Sequence, residues 1–418
     1  MKENLRDAIV SQRREFERAA AEPFVVRRVD NRALQSPLVK VIIGPRRAGK
    51  SFYAQHALQG KANFAYVNFD DERLATTDNC DDILAALRLV YGETRSILMD
   101  EIQNLPRWEL FVNRLHREGY NVVITGSNAK LLSRELATHL TGRHIPISIF
   151  PFSFSEFIAA AGREFTASEM AEQFTRYVES TGYPEPVVKR LDARAYLSTL
   201  FESILYKDIV KRHAIRFSTA IDDLGTYVLS NVAKEYSFKT LAVVSGAKSD
   251  QTVKNYLSYL EEAFLIFSIN RFSFKVKEQV ASNKKLYCID NGFIHARAFK
   301  TSPDYGRLCE NVVAIELRRR ELNGEFRFTF WKNAQQEEVD FVLREGTQTR
   351  QLIQVCTNID AASTRVRELR SLLKASKELK CDDLLVLTGS YEATETTDWF
   401  GIHRVVKFTP IWKWLLEN

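Results

Sequence analysis

GPRRAGKS decides the fold of this chain, and its residues are Gly44, Pro45, Arg46, Arg47, Ala48, Gly49, Lys50 and Ser51. The segment matches the phosphate-binding pattern GxxxxGK followed by Ser or Thr, known as a P-loop. Glycines let the backbone curl closely around phosphates, so that its N–H groups face the anion. Lys50 brings a positive charge to the β- and γ-phosphates, and the Ser51 hydroxyl is a ligand for Mg²⁺. The segment, extended by Phe52, is therefore the predicted binding site of ATP with Mg²⁺.

The sequence around this segment has the context that a P-loop requires. Residues 38–43 are mostly apolar and predict a buried strand, and the residues after Ser51 are compatible with a helix whose N-terminus faces the phosphates. Another apolar strand, residues 96–99, ends in Asp100 and Glu101. In this position Asp100 is predicted to hold the Mg²⁺, and Glu101 to polarise the water that attacks the γ-phosphate.

Strands and helices alternate along the first 150 residues. Apolar runs at residues 38–43, 62–69, 96–99 and 121–125 predict strands, and helical spacing at 81–90 and 108–117 predicts helices. Such alternation is typical of a parallel α/β sheet. Beyond residue 150 the pattern is helical up to about residue 213, and strands return after residue 300.

Polar residues after residue 125 are candidates for sensing the nucleotide. Ser127 and Asn128 follow a predicted strand, where a side chain reaches the γ-phosphate or the attacking water. The alternative is an ordinary strand-to-helix turn with a helix cap. Arg143 is the predicted source of positive charge for the transition state, in its own subunit or across a subunit interface, and Arg134 is its competitor. For both arginines the alternative is a plain surface position.

Composition narrows the class of protein. The 418 residues carry a formal charge of +6 at pH 7, which is compatible with nucleic acid as a partner and equally with an ordinary charged surface. No apolar run approaches the ~20 residues that span a membrane, and the polar start MKEN is not followed by the apolar part of a signal peptide. The five cysteines are far apart and form no CxxC pair, which argues against a disulfide framework or a zinc site. We therefore expect a cytoplasmic protein without membrane contact.

Several stretches carry a family resemblance: IIGPRRAGKS at 42–51, ILMDEIQNL at 97–105, TGYPEPV at 181–187, KKLYCIDNGF at 284–293 and EEVDFVL at 337–343. Together they resemble a family of bacterial and archaeal AAA+-type ATPases whose C-terminal region is a domain of unknown function. The resemblance spans nearly the whole chain. It implies ATP hydrolysis with Mg²⁺ and assembly into a homo-oligomeric ring, for which we expect a hexamer.

The same resemblance implies an order of domains. An N-terminal helical lead covers residues 1–36, and a P-loop AAA+ core with a parallel α/β sheet covers 37–150. A helical lid follows at 151–213, and a winged-helix-like domain at 214–300. Residues 301–418 are expected to form an α/β domain similar to PD-(D/E)XK nucleases, which is the restriction-endonuclease-like fold.

Residues 237–264 have the pattern of a helix-turn-helix. Two segments with helical spacing are separated by Gly246, and Ser249 is placed to cap the second helix. The basic stretch 271–285 is interpreted as the wing. The alternative is a winged helix that binds only proteins. The residues predicted to contact DNA are Lys248, Lys254, Asn255 and Lys275.

The nuclease-like domain contains an incomplete catalytic pattern. PD-(D/E)XK nucleases require an acid at the position of Asp340, an acid at Gln354 and a lysine at Cys356, and Glu310 is placed to add a metal ligand. Glutamine is a weak ligand, and cysteine cannot replace the charge of a lysine. Glu310, Asp340 and Gln354 therefore predict a degenerate metal site with doubtful cleavage activity. The candidates to supply the missing charge from elsewhere are Lys332 and Lys374.

Three functions are compatible with the sequence. The first, which we favour, is an ATPase that acts on DNA through its winged-helix and nuclease-like domains. The second is a regulatory NTPase switch that binds protein partners, and the third is a DNA nuclease gated by ATP. DNA binding should weaken steeply with salt and require the basic residues near Lys254 and Lys275, whereas a protein switch should show neither property.

Overall fold

The chain folds into two compact units. The first comprises Met1–Pro151 with Glu262–Phe264, and the second comprises Phe152–Glu261 with Leu265–Asn418. The computed structural model describes residues 2–58, 63–74, 79–128, 142–216, 218–247, 249–298 and 304–417. None of the helices in these ranges is long and apolar enough to cross a membrane.

The first unit is built on a five-stranded parallel sheet. In chain order its strands are β1 (Val39–Ile43), β2 (Phe64–Asn68), β3 (Ser96–Asp100), β4 (Asn121–Gly126) and β5 (His144–Ser148). Across the sheet they lie in the order β2-β3-β4-β1-β5. The four predicted strands are confirmed to within a few residues. The fifth strand, β5, pairs with β1 at the edge of the sheet and was not predicted.

Helices cover both faces of this sheet. They are α1 (Lys2–Ala19), α2 (Lys50–Leu58), α3 (Cys80–Tyr91) and α4 (Trp108–Arg117). Side chains of β1 alternate between two cores, as they must in a strand. Val41 packs in the core that contains residues of α1, α3 and α4. Ile42 packs in the core that contains residues of α2. Burial on both faces explains why these strands are continuous apolar runs.

The second unit begins with helices. They are α5 (Phe154–Ala160), α6 (Ala167–Glu179), α7 (Pro184–Lys189) and α8 (Ala193–Ser203), which continues into a π-helix (Ile204–Val210). The helical segment predicted up to residue 213 is thus confirmed as helical.

A three-stranded antiparallel sheet with its own helices follows. The elements in chain order are α9 (Ser218–Ser230), β6 (Lys234–Tyr236), α10 (Phe238–Ser245), α11 (Asp250–Glu262), β7 (Ile266–Asn270), α12 (Val276–Ala281), β8 (Lys284–Cys288) and α13 (Asn291–Arg297). The sheet order is β6-β8-β7.

The predicted turn between α10 and α11 is confirmed. Gly246 ends α10 in the left-handed region, with φ of 63°. The Ser249 hydroxyl accepts a hydrogen bond from the Thr252 N–H, as a helix cap does. The interpretation of residues 271–285 as the wing stays a prediction: the short helix α12 occupies part of this segment, residues 274–278 are exposed, and Lys285 is buried.

The chain ends in a six-stranded mixed sheet. Its elements are α14 (Tyr305–Leu322), β9 (Arg327–Lys332), β10 (Glu338–Glu345), β11 (Gln348–Cys356), α15 (Ala362–Leu379), β12 (Leu384–Thr388), β13 (Ala393–Trp399), β14 (Ile402–Pro410) and α16 (Ile411–Leu416). The sheet order is β13-β14-β12-β11-β10-β9. The β13–β14 hairpin was not predicted, since its strands are half exposed and rich in polar residues.

Candidate functional site

The P-loop connects β1 to α2 in a conformation that only glycine permits at its start. Gly44 has φ of 153°, and a Cβ atom there would lie 1.8 Å from the carbonyl oxygen of Ile149. Gly49 also has positive φ, 90°. The loop therefore runs close to the neighbouring backbone and then turns into α2, which begins at Lys50.

Lys50 is buried at the N-terminus of α2. Its ammonium group donates a hydrogen bond to the carbonyl oxygen of Pro45, at 3.1 Å. It also forms an ion pair with Glu101, with 3.8 Å between Nζ and Oε1. The predicted phosphate-binding lysine and the predicted base are thus adjacent.

The carboxylate of Asp100, at the end of β3, accepts hydrogen bonds from three hydroxyl groups. The Ser51 hydroxyl donates to Oδ1 at 2.8 Å. The Tyr66 hydroxyl donates to Oδ2 at 3.2 Å, and the Thr125 hydroxyl donates to Oδ1. The two predicted Mg²⁺ ligands, Ser51 and Asp100, therefore lie side by side. A hydroxyl and a carboxylate are ligands of the kind that Mg²⁺ takes beside a nucleotide, so the residues fit the ion.

Glu101 is held in an uncommon backbone conformation, with φ of 49°. Its N–H donates to the Thr125 hydroxyl at 3.1 Å, and its carboxylate accepts from the Ser127 hydroxyl at 3.1 Å and from the Gln103 amide. Such left-handed backbone is sparsely populated for residues other than glycine and is often found at functional sites. The surrounding hydrogen bonds fix the direction of the carboxylate.

The two acids differ in their ionisation. Burial and the neighbouring Glu101 raise the pKa of Asp100. Burial also acts to raise the pKa of Glu101, but the positive charge of Lys50 and the hydrogen bond from Gln103 outweigh it and lower that pKa. Two carboxyl groups with opposite shifts are a common property of catalytic sites.

The remaining predicted residues lie at different distances from these acids. The hydroxyl of Ser127 donates a hydrogen bond to Glu101. Asn128, the next residue in the chain, is buried. The side chain of Arg143 is exposed. The backbone carbonyl oxygen of Arg143 accepts a hydrogen bond from the N–H of Val39, at the start of β1. Arg134 lies outside the described residues. Two other side chains of the P-loop segment contact neighbouring residues. The Arg46 guanidinium lies 3.8 Å from the Asp70 carboxylate, and the ring centroid of Phe52 lies 6.0 Å from that of Phe24.

Sequence reasoning missed four residues of this site. Tyr66, Gln103 and Thr125 contact the two acids, and the buried Arg27 donates to the carbonyl oxygens of Ala48 and Phe150. Thr125 could have been found, because it is a polar residue inside an apolar strand next to the strand of Asp100. Arg27 is more than 15 residues from the motif and has no comparable signal.

Two relatives match almost the whole chain. An uncharacterized protein of Methanocaldococcus jannaschii, MJ1544, is 33% identical over 414 residues, which cover 93% of this chain and 91% of that protein. The chain belongs to the same family as this archaeal protein. An uncharacterized protein of Haemophilus influenzae is 28% identical over 396 residues, 91% of this chain and 94% of its own length.

The family model of an AAA domain matches residues 36–158 of the present chain. Two domains of unknown function follow, DUF8612 at 171–304 and DUF4143 at 305–414. Among solved structures, the Walker-type ATPase PABY2304 of Pyrococcus abyssi gives a TM-score of 0.43 at 16% identity, covering 63% of this chain and 92% of its own. Cdc6p of Pyrobaculum aerophilum gives 0.28 at 14% identity, covering 74% and 98%. The match to the AAA domain model, together with the P-loop after β1 of the five-stranded parallel sheet, identifies the first unit as an AAA-type P-loop ATPase domain.

The predicted nuclease-like residues meet a lysine that sequence analysis placed elsewhere. Lys285 of β8 is buried, and its ammonium group lies 3.0 Å from Glu310 Oε1 and 3.4 Å from Asp340 Oδ1. It is also 2.5 Å from Oε1 of Glu338. Gln354 lies beside them, since its carbonyl oxygen accepts a hydrogen bond from the Asp340 N–H at 3.3 Å.

The other candidates for nuclease chemistry are engaged elsewhere. Lys374 binds both carboxylate oxygens of Glu337 at 2.9 Å. Lys332 pairs with Glu235 and lies 3.8 Å from Glu338. Burial and the nearby Glu368 raise the pKa of the Cys356 thiol to about 11, so it is protonated at neutral pH and a poor nucleophile. Among the ion pairs of the described residues, the cation that contacts Asp340 is therefore Lys285. The two lysines predicted for this role, Lys332 and Lys374, pair with other acids.

The predicted DNA-contacting residues are mostly exposed. Lys254 and Asn255 lie on the outer side of α11, with the Lys254 ammonium 4.9 Å from the ring centroid of Phe238. Lys275 is exposed and pairs with Glu278 at 2.9 Å. Lys248 lies outside the described residues.

Proposed function

We propose that this protein binds Mg-ATP and hydrolyses it by attack of water on the γ-phosphate. The observation that carries the proposal is the meeting of Lys50, Ser51, Asp100 and Glu101 at the ends of β1 and β3. Lys50 and the loop N–H groups bind the phosphates, Ser51 and Asp100 hold Mg²⁺, and Glu101 accepts the proton of the water.

The ion pair between Lys50 and Glu101 suggests how the site prepares for catalysis. Without nucleotide, Lys50 lowers the pKa of Glu101. When Lys50 turns to the β- and γ-phosphates, Glu101 loses its counter-ion and burial raises its pKa. Glu101 thereby becomes a stronger base when the substrate is in place.

Two substitutions test these roles. Lys50→Ala removes the phosphate-binding charge and should abolish nucleotide binding or turnover. Glu101→Gln keeps the shape of the base but cannot accept a proton, so the variant should bind ATP and retain it. A Glu101→Gln protein that hydrolyses ATP at the wild-type rate would contradict the role of Glu101.

We further propose that DNA is the partner of the second unit. The order α9, β6, α10, α11, β7, β8, with the three strands in one antiparallel sheet, is compatible with a winged helix, and α11 presents Lys254 and Asn255 to solvent. A positive formal charge supports the same partner. The order α14, β9, β10, β11, α15, β12 is compatible with the nuclease-like fold proposed for residues 301–418.

The DNA proposal is tested by the steady-state ATPase rate with single-stranded, duplex and branched DNA at two salt concentrations. We expect stimulation by one form, loss of it at high salt, and weaker stimulation after Lys254→Ala. Lys377→Ala, an exposed lysine on α15, is the matched control. A rate that is indifferent to all three DNA forms would favour the regulatory switch that binds protein partners.

We also propose a homo-oligomeric ring, with a hexamer as the expected size and with Arg143 or Arg134 acting across the interface. The exposed side chain of Arg143 is compatible with such a role. Light scattering with Mg-ATP on the Glu101→Gln variant measures the oligomer. An Arg143→Ala protein with normal turnover would exclude Arg143 as that residue.

A further inference from the structure

Three carboxylates of the second unit converge on one atom. Glu310 comes from α14, and Glu338 and Asp340 come from β10; we call them the carboxylate cluster. The ammonium nitrogen of Lys285 lies 2.5–3.4 Å from an oxygen of each. Lys285 belongs to a different sheet, where β8 pairs with β6 and β7.

Neighbouring groups fix the carboxylates in this arrangement. The Tyr287 hydroxyl donates to Glu310 Oε1 at 2.7 Å, and the N–H of Val355 donates to Asp340 Oδ2 at 3.0 Å. The side chain of Lys285 is only 2% exposed, so water has almost no access to its charge. The ring of Phe330 covers it, with 5.6 Å between Nζ and the ring centroid.

The chemistry of this arrangement is that of a cation site. Clustered carboxylate oxygens are the preferred ligands of Mg²⁺, and two or three of them hold the metal in hydrolases that cleave phosphodiesters. An ammonium group instead offers three N–H donors, one for each carboxylate. As they stand around Lys285, however, the three carboxylates do not form a metal site, and neither does any other group of three or more His, Cys, Asp and Glu in the described ranges.

We propose that Lys285 takes the place of a divalent cation in the carboxylate cluster, so that the terminal domain binds no metal there and does not cleave DNA. The cluster is instead a fixed ion-pair centre that joins β8 to β10. This inference removes the alternative of an ATP-gated nuclease, and it holds whether or not the first unit hydrolyses ATP.

Other contacts also join the small sheet to the terminal sheet. The Phe272 N–H, just after β7, donates to the carbonyl oxygen of Phe330 in β9 at 2.6 Å, and the Arg271 guanidinium donates to the carbonyl oxygen of Lys332. The Lys332 ammonium in turn binds Glu235 of β6. Together with Lys285 of β8, these contacts tie all three strands of the small sheet to the terminal sheet.

The first test keeps Lys285 in place. Mn²⁺ binding is measured by electron paramagnetic resonance on the nucleotide-free wild type, Asp340→Asn and Asp100→Asn. We expect Asp340→Asn to bind as much Mn²⁺ as the wild type, because the cluster holds none. Mn²⁺ that is lost on Asp340→Asn but retained on Asp100→Asn would overturn the proposal. So would Mg²⁺-dependent cleavage of DNA that Asp340→Asn abolishes.

The second test removes the internal cation. Lys285→Ala empties the position and should create one new Mn²⁺ site per chain, which Glu310→Gln in the same protein should weaken. A folded Lys285→Ala protein without a new Mn²⁺ site would also overturn the proposal, since the carboxylates would then not form a cation site. If Lys285→Ala does not fold, the comparison of Mn²⁺ binding between the wild type and Asp340→Asn decides whether the carboxylate cluster holds a metal ion.

Discussion

At the scale of single residues, Thr125 shows how the site depends on a group outside the recognised motifs. It lies on β4 and uses one hydroxyl twice, as a donor to Asp100 and as the acceptor of the Glu101 N–H. Both predicted catalytic acids are therefore oriented by a residue that touches neither phosphate nor metal in the proposed mechanism. Thr125 is a positioning residue.

We expect Thr125→Val to lower kcat about 10–100-fold, the usual effect of losing a group that orients a metal ligand. Valine keeps the shape of threonine and removes both hydrogen bonds. The effect should fall on kcat and on the Mg²⁺ dependence, with little change in the affinity for ATP. Thr125→Ser restores the hydroxyl and is the control; equal losses in Ser and Val would contradict the argument.

A second residue, Asp290, joins two stretches that are distant in the sequence, TGYPEPV and KKLYCIDNGF. Its carboxylate accepts hydrogen bonds from the Thr181 hydroxyl at 2.7 Å, the Gly182 N–H at 2.8 Å and the Gly292 N–H at 2.9 Å. The stretches TGYPEPV and KKLYCIDNGF thus meet at this acid.

Burial raises the pKa of Asp290 to about 6, above its ordinary value of 3.8, although the three hydrogen-bond donors act to lower it.

This shift predicts a pH dependence of stability. An acid whose pKa is higher in the folded state contributes stability that is present below its unfolded pKa and is lost as the pH rises. The unfolding free energy of the wild type relative to Asp290→Asn should therefore fall between about pH 4 and pH 6, by up to about 1.4 kcal/mol per unit. Above pH 6 the difference should be constant. Urea unfolding at four pH values measures it, with the exposed Asp223→Asn as the charge-matched control; a difference that rises with pH would contradict the assignment.

At the scale of elements, local signals set where the helices of the second unit begin. Helix α5 starts with a capping box, in which the Ser153 hydroxyl accepts from the Glu156 N–H at 3.2 Å and Glu156 accepts from the Ser153 N–H at 2.9 Å. Both groups satisfy N–H donors that a helix start leaves free. The sequence FPFSFSEF contains this pattern directly after the first unit.

We expect Ser153→Ala to lower the free energy of unfolding by about 1 kcal/mol, because one N–H at the start of α5 loses its acceptor. Thermal or urea unfolding measures the change. Ser168→Ala, on the exposed first turn of α6, is the matched control and should leave stability unchanged. A Ser153→Ala protein as stable as that control would show that the box does not stabilise α5.

At the scale of the whole molecule, the nucleotide site lies entirely within the first unit, whereas the carboxylate cluster lies entirely within the second. A ligand that binds only the folded state stabilises the unit that holds it. The two units can therefore be distinguished by their response to nucleotide.

Mg-ATP at 100 times its dissociation constant should stabilise the first unit of Glu101→Gln by about 2.7 kcal/mol. Hydrogen exchange followed by mass spectrometry should show protection in β1, β3 and β4 and less in β10 and β11. Lys50→Ala, which cannot hold the phosphates, should show no change. Equal protection of both sheets would mean that the units open together.

The sequence by itself determined the features that depend on neighbouring residues. GPRRAGKS after an apolar strand required the P-loop, and the apolar run ending in Asp100 and Glu101 predicted the acids beside it. Four of the five strands of the first sheet could be read because burial on both faces makes them continuously apolar. The edge strand β5 could not, since it is only partly buried and contains a proline.

Only the tertiary structure decided contacts between residues that are distant along the chain. The sequence placed Lys285 at the end of a basic stretch interpreted as the wing. In the structure it joins the carboxylates of Glu310 and Asp340, which are 25 and 55 positions away. Thr125 and Arg27 likewise act through contacts that periodicity does not encode. The physical reason is that a buried charge gains its partners from the packing of separate sheets, and no local pattern of side chains specifies which sheets meet.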